Sequence, residues 1–170
     1  IDDILDLAEI EAGTVELDSM SFDIHTTLAS LIIATAERTR TKRLTMTFDC
    51  APTIGSMRGD PRRIRQAVLH LLNNAIQYTQ PGGTVTLAAK RTKTSIEIDV
   101  VDTGIGIPRD ELSSVQQPFM RGSEAGKLGP GSGLGLTLVR GIVDLHGGEI
   151  HPERREPHGC RMVVTLPTAA

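Results

Sequence analysis

The sequence predicts a two-layer α/β sandwich: a mixed sheet with helices on one face. Three observations lead there. β-rich runs come mostly in pairs, as hairpins; amphipathic helical segments lie between them; and 170 residues at 39% hydrophobic and 23% charged suit one folded domain with a short appended piece. The core must be aliphatic, because Phe22, Phe48, Tyr78 and Phe119 are the whole aromatic complement. Base-stacking platforms are therefore scarce, and a net charge of -3 provides no basic field, so neither nucleic acid nor a membrane surface is an expected partner. Apolar runs such as residues 31–34 fall far short of the roughly 20 residues a membrane span needs. Cys50 and Cys160 lack metal or redox spacing and suit a reducing, cytoplasmic setting. A first residue Ile1, with no basic-then-apolar leader, reads as a piece of a longer protein, one whose parent is open to membrane anchoring elsewhere.

Taken in order, Ile1, Ile4, Leu5, Ala8, Ala12 and Val15 follow helical spacing up to Gly13, a narrow stripe expected to pack on something outside this chain. Asp23 is the predicted N-cap of a helix carrying Leu28, Leu31, Ile32, Thr35 and Ala36, with cations over 38–43 at its negative end. Residues 44–50 alternate as a strand. Asp60-Pro61 is an N-cap with Pro at the first helical position, opening a helix through Ile64, Val68, Leu71, Leu72, Ala75 and Ile76. Residues 84–90 and 95–101 form a predicted hairpin. Next come a Gly-rich loop over 102–108, a short helix over 109–115, and a stretch over 116–132 read as a lid, since long aperiodic segments in compact domains are usually functional. Leu134, Leu138, Ile142 and Leu145 restore helical spacing, Gly147-Gly148 ends it, and 149–155 with 160–166 make a closing hairpin.

Three constellations carry chemistry. In the first, His70, Asn74 and Gln77 or Tyr78 share one face of a helix that is otherwise apolar. Burying that face unpartnered would cost about 1 to 3 kcal/mol per group, and an amide oxygen is a hard ligand suited to Mg2+; a solvent-facing stripe or an internal hydrogen-bond network are the alternatives. In the second, Asp102-Thr-Gly104-Ile-Gly106-Ile-Pro108 follows a strand. Its glycines admit close approach of a planar ligand, and its carboxylate can accept from an exocyclic amine; a plain turn is the alternative. The third, Gly129-Pro-Gly131-Ser-Gly133-Leu-Gly135-Leu136, opens a helix, where free N–H groups favour phosphate. It lacks the Lys-Ser/Thr ending of a P-loop and the early strand of a dinucleotide fold.

In this order the three segments resemble the ATP-binding domain shared by sensor histidine kinases, type II topoisomerases, a chaperone class and mismatch-repair ATPases, over about residues 60–167. The histidine-kinase branch is the most similar, through Asp60-Pro-Arg-Arg-Ile-Arg-Gln66, His146-Gly-Gly148 and, upstream, Ile4-Leu-Asp-Leu-Ala-Glu-Ile-Glu-Ala-Gly13, which resembles the end of a second dimerisation helix. Within it, alphaproteobacterial cell-cycle kinases are the narrower resemblance. The resemblance implies a Bergerat-type fold, with residues 1–18 a stub of the dimerisation helix and 19–170 the catalytic domain. It implies MgATP as ligand. Asn74 would hold Mg2+, Asp102 the adenine amine, and Tyr78 the side of the base. Gly104, Gly106 and Ile107 would shape the adenine end; Gly131, Gly133, Leu134 and Gly135 would wrap the phosphates beneath the lid. Asn74, His70 and Arg121 would act in catalysis. Implied partners are the chain's own dimerisation and phosphoacceptor domain, within a homodimeric parent, and a response regulator or phosphorelay protein.

The departures from the family pattern concern the phosphate end. Histidine kinases usually have Asn at position 70 and hydrolytic relatives Glu; His70 leaves no evident base for water, which argues against a self-contained ATPase acting on DNA or client proteins. His70 either contacts metal or phosphate, as its counterparts in chemotaxis kinases suggest, or is a polar helix residue. Gln77 stands where Lys is frequent, and Gln116 and Gln117 depart from a segment in which Phe119 and Arg121 match. Arg121 either touches the lid or terminal phosphate, or is a surface arginine. Nucleotide binding should survive these changes better than transfer does, so a regulatory pseudokinase stands as the alternative to an active kinase. None of His25, His70, His146, His151 and His158 has the pattern of a phosphoacceptor; His25 and His146 read as structural, His151 and His158 as exposed loop histidines.

Overall fold

A computed structural model of the chain describes residues 2–105 and 135–168. The expected helix over 109–115, the lid over 116–132, and Gly106, Ile107, Arg121, Gly131, Gly133 and Leu134 lie outside the described residues. The elements are α1 (Asp2–Glu11), β1 (Met20–Asp23), α2 (Ile24–Thr41), β2 (Thr45–Cys50), a 3-10 turn (Pro52–Ile54), β3 (Ser56–Gly59), α3 (Pro61–Tyr78), β4 (Thr84–Arg91), β5 (Ser95–Asp102), α4 (Gly135–Leu145), β6 (Glu149–Arg154) and β7 (Cys160–Pro167).

The main sheet has the order β2-β4-β5-β7-β6, with β2 and β4 parallel and the other neighbours antiparallel, so it is mixed as expected. Alternation decides its two faces. Val85, Leu87, Ile96, Ile98, Val100, Met162, Val164 and Leu166 are buried on the helical side, against Leu28 and Leu31 of α2, Leu71, Leu72 and Ile76 of α3, and Leu138 and Ile142 of α4. The opposite face is polar. There Arg161 donates to Asp99 at 2.5 and 2.9 Å and to Glu153 at 3.0 Å, a cross-strand network that keeps charge at the surface of the sheet.

Both predicted N-caps form. The Asp23 carboxylate accepts the Thr26 N–H at 2.8 Å, which with the neighbouring Thr26 hydroxyl holds the acid below the usual carboxylate range; Asp60 accepts the Arg63 N–H at 3.2 Å. At the other end of α3 no basic residue lies in the last turn, and Lys42 reaches across from the end of α2. Its Nζ donates to the carbonyls of Ile76 at 2.7 Å and Gln77 at 2.6 Å, meeting the partial negative charge there. Burial, and secondarily the Arg38 charge, lower the Lys42 pKa.

Two expectations are corrected. The first helix does find a partner in this chain. Leu5, Ala8 and Ala12 of the predicted stripe are exposed, whereas Leu7 is buried and Ile10 meets α4 at Gly141, where a Cβ would come within 3.0 Å of the Ile10 side chain. Polar pairing picks this neighbouring face: Asp6 accepts from Gln66 Nε2 at 2.6 Å and faces Arg63 at 3.7 Å, both on α3. Second, the polar stretch before Asp23 contains a strand. β1 pairs antiparallel with β3, in a short sheet that periodicity cannot signal because each strand has four residues.

Candidate functional site

α3 carries its apolar residues inward, which leaves His70, Asn74, Gln77 and Tyr78 half-buried along the adjoining face. The start of α4 meets that face. Gly135, its first residue, is placed so that a Cβ there would lie 3.5 Å from His70 Nδ1 and 4.0 Å from the Asn74 amide nitrogen. The positive end of α4 and the amide of Asn74 thus share one space, the donor set expected of a site for a hydrated hard cation with phosphate. Among the described residues no cluster of three or more His, Cys, Asp or Glu residues suits a metal.

His146 helps hold α3 and α4 in this relation. Its Nδ1–H donates to the Ile142 carbonyl at 2.8 Å, and its Nε2 accepts the Asp60 N–H at 3.0 Å, one residue before α3 begins. The ring therefore bridges the two helices in one tautomer, and its expected structural role is realised. Asp60 itself accepts a second backbone N–H, from Asp18 at 3.0 Å.

The other end of the site lies where β5 stops. Asp102 is 8% exposed and paired in register with Cys160 of β7. Burial pushes its carboxyl up to about 6, against the opposing pull of the Gly104 and Cys160 backbone N–H groups, Arg155 and His158. Asp102 Oδ1 accepts the Gly104 N–H at 2.8 Å, and the Ile105 N–H donates to the Tyr78 carbonyl at 3.2 Å, which ties the turn to the end of α3. Gly104 is required sterically. A Cβ there would stand 2.3 Å from the Tyr78 carbonyl oxygen and 3.0 Å from Asp102 Oδ1. A carboxylate kept out of water at the mouth of a turn with no room for a side chain fits the edge of a planar base bearing an amine.

The structure thus brings together His70, Asn74 and Gly135 at one end, and Tyr78, Asp102 and Gly104 at the other, along a single helix. Sequence reasoning missed the groups behind Asp102. Arg155 Nη1 donates to the Asp102 carbonyl at 3.2 Å and His158 Nδ1–H to the Gly104 carbonyl at 3.1 Å, both from the β6–β7 hairpin tip. Gly159 makes the close approach possible: its φ is +114°, and a Cβ on it would come 2.2 Å from the Asp102 carbonyl oxygen. His151 is exposed beside Glu153 as expected, but it stands within β6, opposite Val163, and not in a loop; Cys160 is buried, and the desolvation raises its thiol to about 12, with the Asp102 and Glu153 charges adding to the rise. No helix among the described residues is long and apolar enough to cross a membrane.

Comparison with known proteins supplies the family. Residues 59–170 match the family described as histidine kinase-, DNA gyrase B-, and HSP90-like ATPase. The sensor protein DivL of Caulobacter vibrioides is 35% identical over 167 residues, 98% of this chain and 21% of its own. ShkA, solved full-length in complex with AMPPNP, superposes with a TM-score of 0.87 at 25% identity, over 99% of this chain and 35% of that one. The histidine kinase ThkA in complex with the response regulator TrrA has the same fold, with a TM-score of 0.79 at 24% identity, over 98% of this chain and 47% of that one. The chain spans about a third or less of the length of the curated relatives it matches. It belongs to the histidine kinase-, DNA gyrase B- and HSP90-like ATPase family and is homologous within it to the ATP-binding catalytic domains of sensor histidine kinases.

Proposed function

We propose that this chain binds MgATP between the end of β5 and the start of α4, for transfer of the γ-phosphoryl group to a histidine on a dimerisation domain of its parent protein. The observation that carries the reading is the single helix face that joins a buried, amine-accepting carboxylate to an amide beside a helix N-terminus. Asp102 accepts from the adenine amine, Gly104 leaves the ring its space, and Tyr78 flanks it. Asn74 holds Mg2+ through its amide oxygen, Gly135 offers the positive end of α4 to phosphate oxygens, and His70 stands beside both. Bound MgATP supplies the transferable phosphoryl group and a cation that neutralises charge during in-line transfer. Gly106, Ile107, Gly131, Gly133, Leu134 and Arg121 complete the pocket and its lid in this reading, on the strength of the motifs alone.

Residues 1–18 are the stub of the dimerisation helix and 19–170 the catalytic domain. The parent is a homodimer that works with a response regulator or phosphorelay protein, by analogy with ThkA and TrrA, and it sits among the alphaproteobacterial cell-cycle kinases, a placement supported by the similarity to DivL and to DivJ of the same organism. This domain works in the cytoplasm.

Titration with MgATP tests the pocket. Asp102→Asn should weaken nucleotide binding and Asn74→Asp should chiefly alter its dependence on Mg2+; equal behaviour of both variants and the unmodified chain would contradict the assignment. Gln77 favours a second reading, a regulatory pseudokinase. Measurable nucleotide binding without ATP-dependent phosphorylation of the full-length parent would select it.

A further inference from the structure

The β6–β7 hairpin lies outside the three motif segments, yet its tip touches the adenine end of the site from behind. Asp102 is the last residue of β5, and β7 runs beside it with Cys160 opposite. The chain then has to leave β5 through Thr103 and Gly104 without a strand partner to guide it. Thr103 is held on one side, its N–H donating to the Thr84 carbonyl at 3.1 Å and its hydroxyl accepting the Thr84 N–H at 3.0 Å. On the other side stands the hairpin tip. The Arg155 N–H donates to the Gly159 carbonyl at 3.1 Å and closes the tip, which sends the Arg155 guanidinium to the Asp102 carbonyl and the His158 ring to the Gly104 carbonyl.

Both polar groups of Gly104 are consequently engaged: its N–H by Asp102 Oδ1 at 2.8 Å, its carbonyl by His158 at 3.1 Å. Rotation of either flanking peptide would break one of them. We propose that His158 and Arg155, at the tip of the β6–β7 hairpin, are positioning residues for the adenine-recognising turn: they hold the backbone of Asp102 and Gly104 so that the Asp102 carboxylate meets the base. The inference rests on the nucleotide-binding reading above and adds to it the residues that set selectivity for the adenine ring. Neither residue touches nucleotide in this scheme. The Arg155 guanidinium, beside the buried carboxylate, also opposes its protonation.

A carbonyl can only accept, so the His158 ring must carry its proton on Nδ1 in this contact. The required donor is therefore one that an asparagine amide, branching at the same distance from the backbone, can replace. A glutamine amide sits one carbon farther out, near the place of Nε2, and cannot.

The test uses the whole chain with MgATP, MgGTP and inorganic tripolyphosphate as probes, by calorimetric titration, and follows hydrogen exchange of the Gly104 amide without ligand. A hydrogen bond of this kind, partly open to water, sets an effect of roughly three- to tenfold. His158→Ala, His158→Gln and Arg155→Ala should each weaken MgATP by that factor, lower the preference for MgATP over MgGTP, and leave tripolyphosphate unchanged; His158→Asn should stay within about twofold of the unmodified chain. Exchange at Gly104 should quicken in His158→Ala and recover in His158→Asn. If His158→Ala and Arg155→Ala bind MgATP normally while Asp102→Asn does not, the positioning role is wrong and the pocket stands. If Asp102→Asn also binds normally, both fall. Loss of His158→Asn to the same degree as His158→Ala, or equal weakening of tripolyphosphate, also overturns the positioning role.

Discussion

Asp102→Asn should make the protein more stable and bind adenine nucleotide less well, and the two effects share one cause. Burial raises the carboxyl from 3.8 to about 6, so at neutral pH the folded chain holds an ionised group in a place that disfavours it. At about 1.4 kcal/mol per pKa unit, the penalty is on the order of 3 kcal/mol. Asparagine carries no charge, but it offers one acceptor where the carboxylate offered two, so either the Gly104 or the Cys160 N–H loses its partner. That returns about 1 to 3 kcal/mol, which leaves a net gain of roughly 1 kcal/mol at pH 7. The pH dependence is the sharper signature. Because the folded value lies above the unfolded one, the native chain binds the proton more tightly; its stability from this group is full below pH 3.8 and declines as pH rises to about 6. The variant has no such term. Urea unfolding followed by circular dichroism, at steps from about pH 4 to about pH 7.5, should show the stability of the variant relative to the unmodified chain climbing by on the order of 3 kcal/mol and levelling off above about pH 6. A flat difference, or one that falls with pH, would refute the reasoning. Affinity for adenosine, whose use avoids phosphate titration, should drop about 10- to 100-fold in the variant, and in the unmodified chain should weaken below about pH 6 as Asp102 takes up its proton.

Other positions follow from the same geometry. Gly104→Ala places a methyl 2.3 Å from the Tyr78 carbonyl oxygen, so the turn must shift; MgATP affinity should fall by at least about tenfold while the rest of the fold persists, as calorimetry and near-native circular dichroism would show. Asp6→Ala removes the acid that faces Arg63 and Gln66, both on α3, and should release α1 from the domain at a cost of about 1 to 3 kcal/mol, seen as faster hydrogen exchange over α1 and unchanged exchange in the sheet. Leu72→Ala opens a cavity at a fully buried position of α3 and should cost about 2 to 5 kcal/mol in denaturant unfolding, more than Ile33→Ala at an exposed position of α2.

Much of the architecture was legible in the chain alone because it depends on local chemistry. The Asp60-Pro61 cap, the alternation through β4, β5 and β7, and the glycine stops at 147–148 each follow from interactions within a few residues, and the predicted helices and strands that fall on the described residues stand within two or three residues of their observed bounds. The α1 contact was not legible in that way. The most regular apolar spacing ran through Leu5, Ala8 and Ala12, yet the docked face is set by Asp6, whose partners Gln66 and Arg63 lie about sixty residues away. The β1–β3 pair escaped for the same reason, since strands of four residues draw their stability from their neighbour rather than from a periodicity of their own.

The sequence by itself determined the order of the carboxylate, amide and glycine segments, because residue type and spacing state which donors and acceptors exist. Tertiary structure alone decided their electrostatics and their support. Asp102 has a high pKa only because β7 and the turn exclude water around it, and the histidine that reads as a plain loop residue at 158 acquires a partner only when the last hairpin folds back onto the end of β5. Desolvation and long-range hydrogen bonding are properties of what surrounds a group, and no stretch of chain contains its own surroundings.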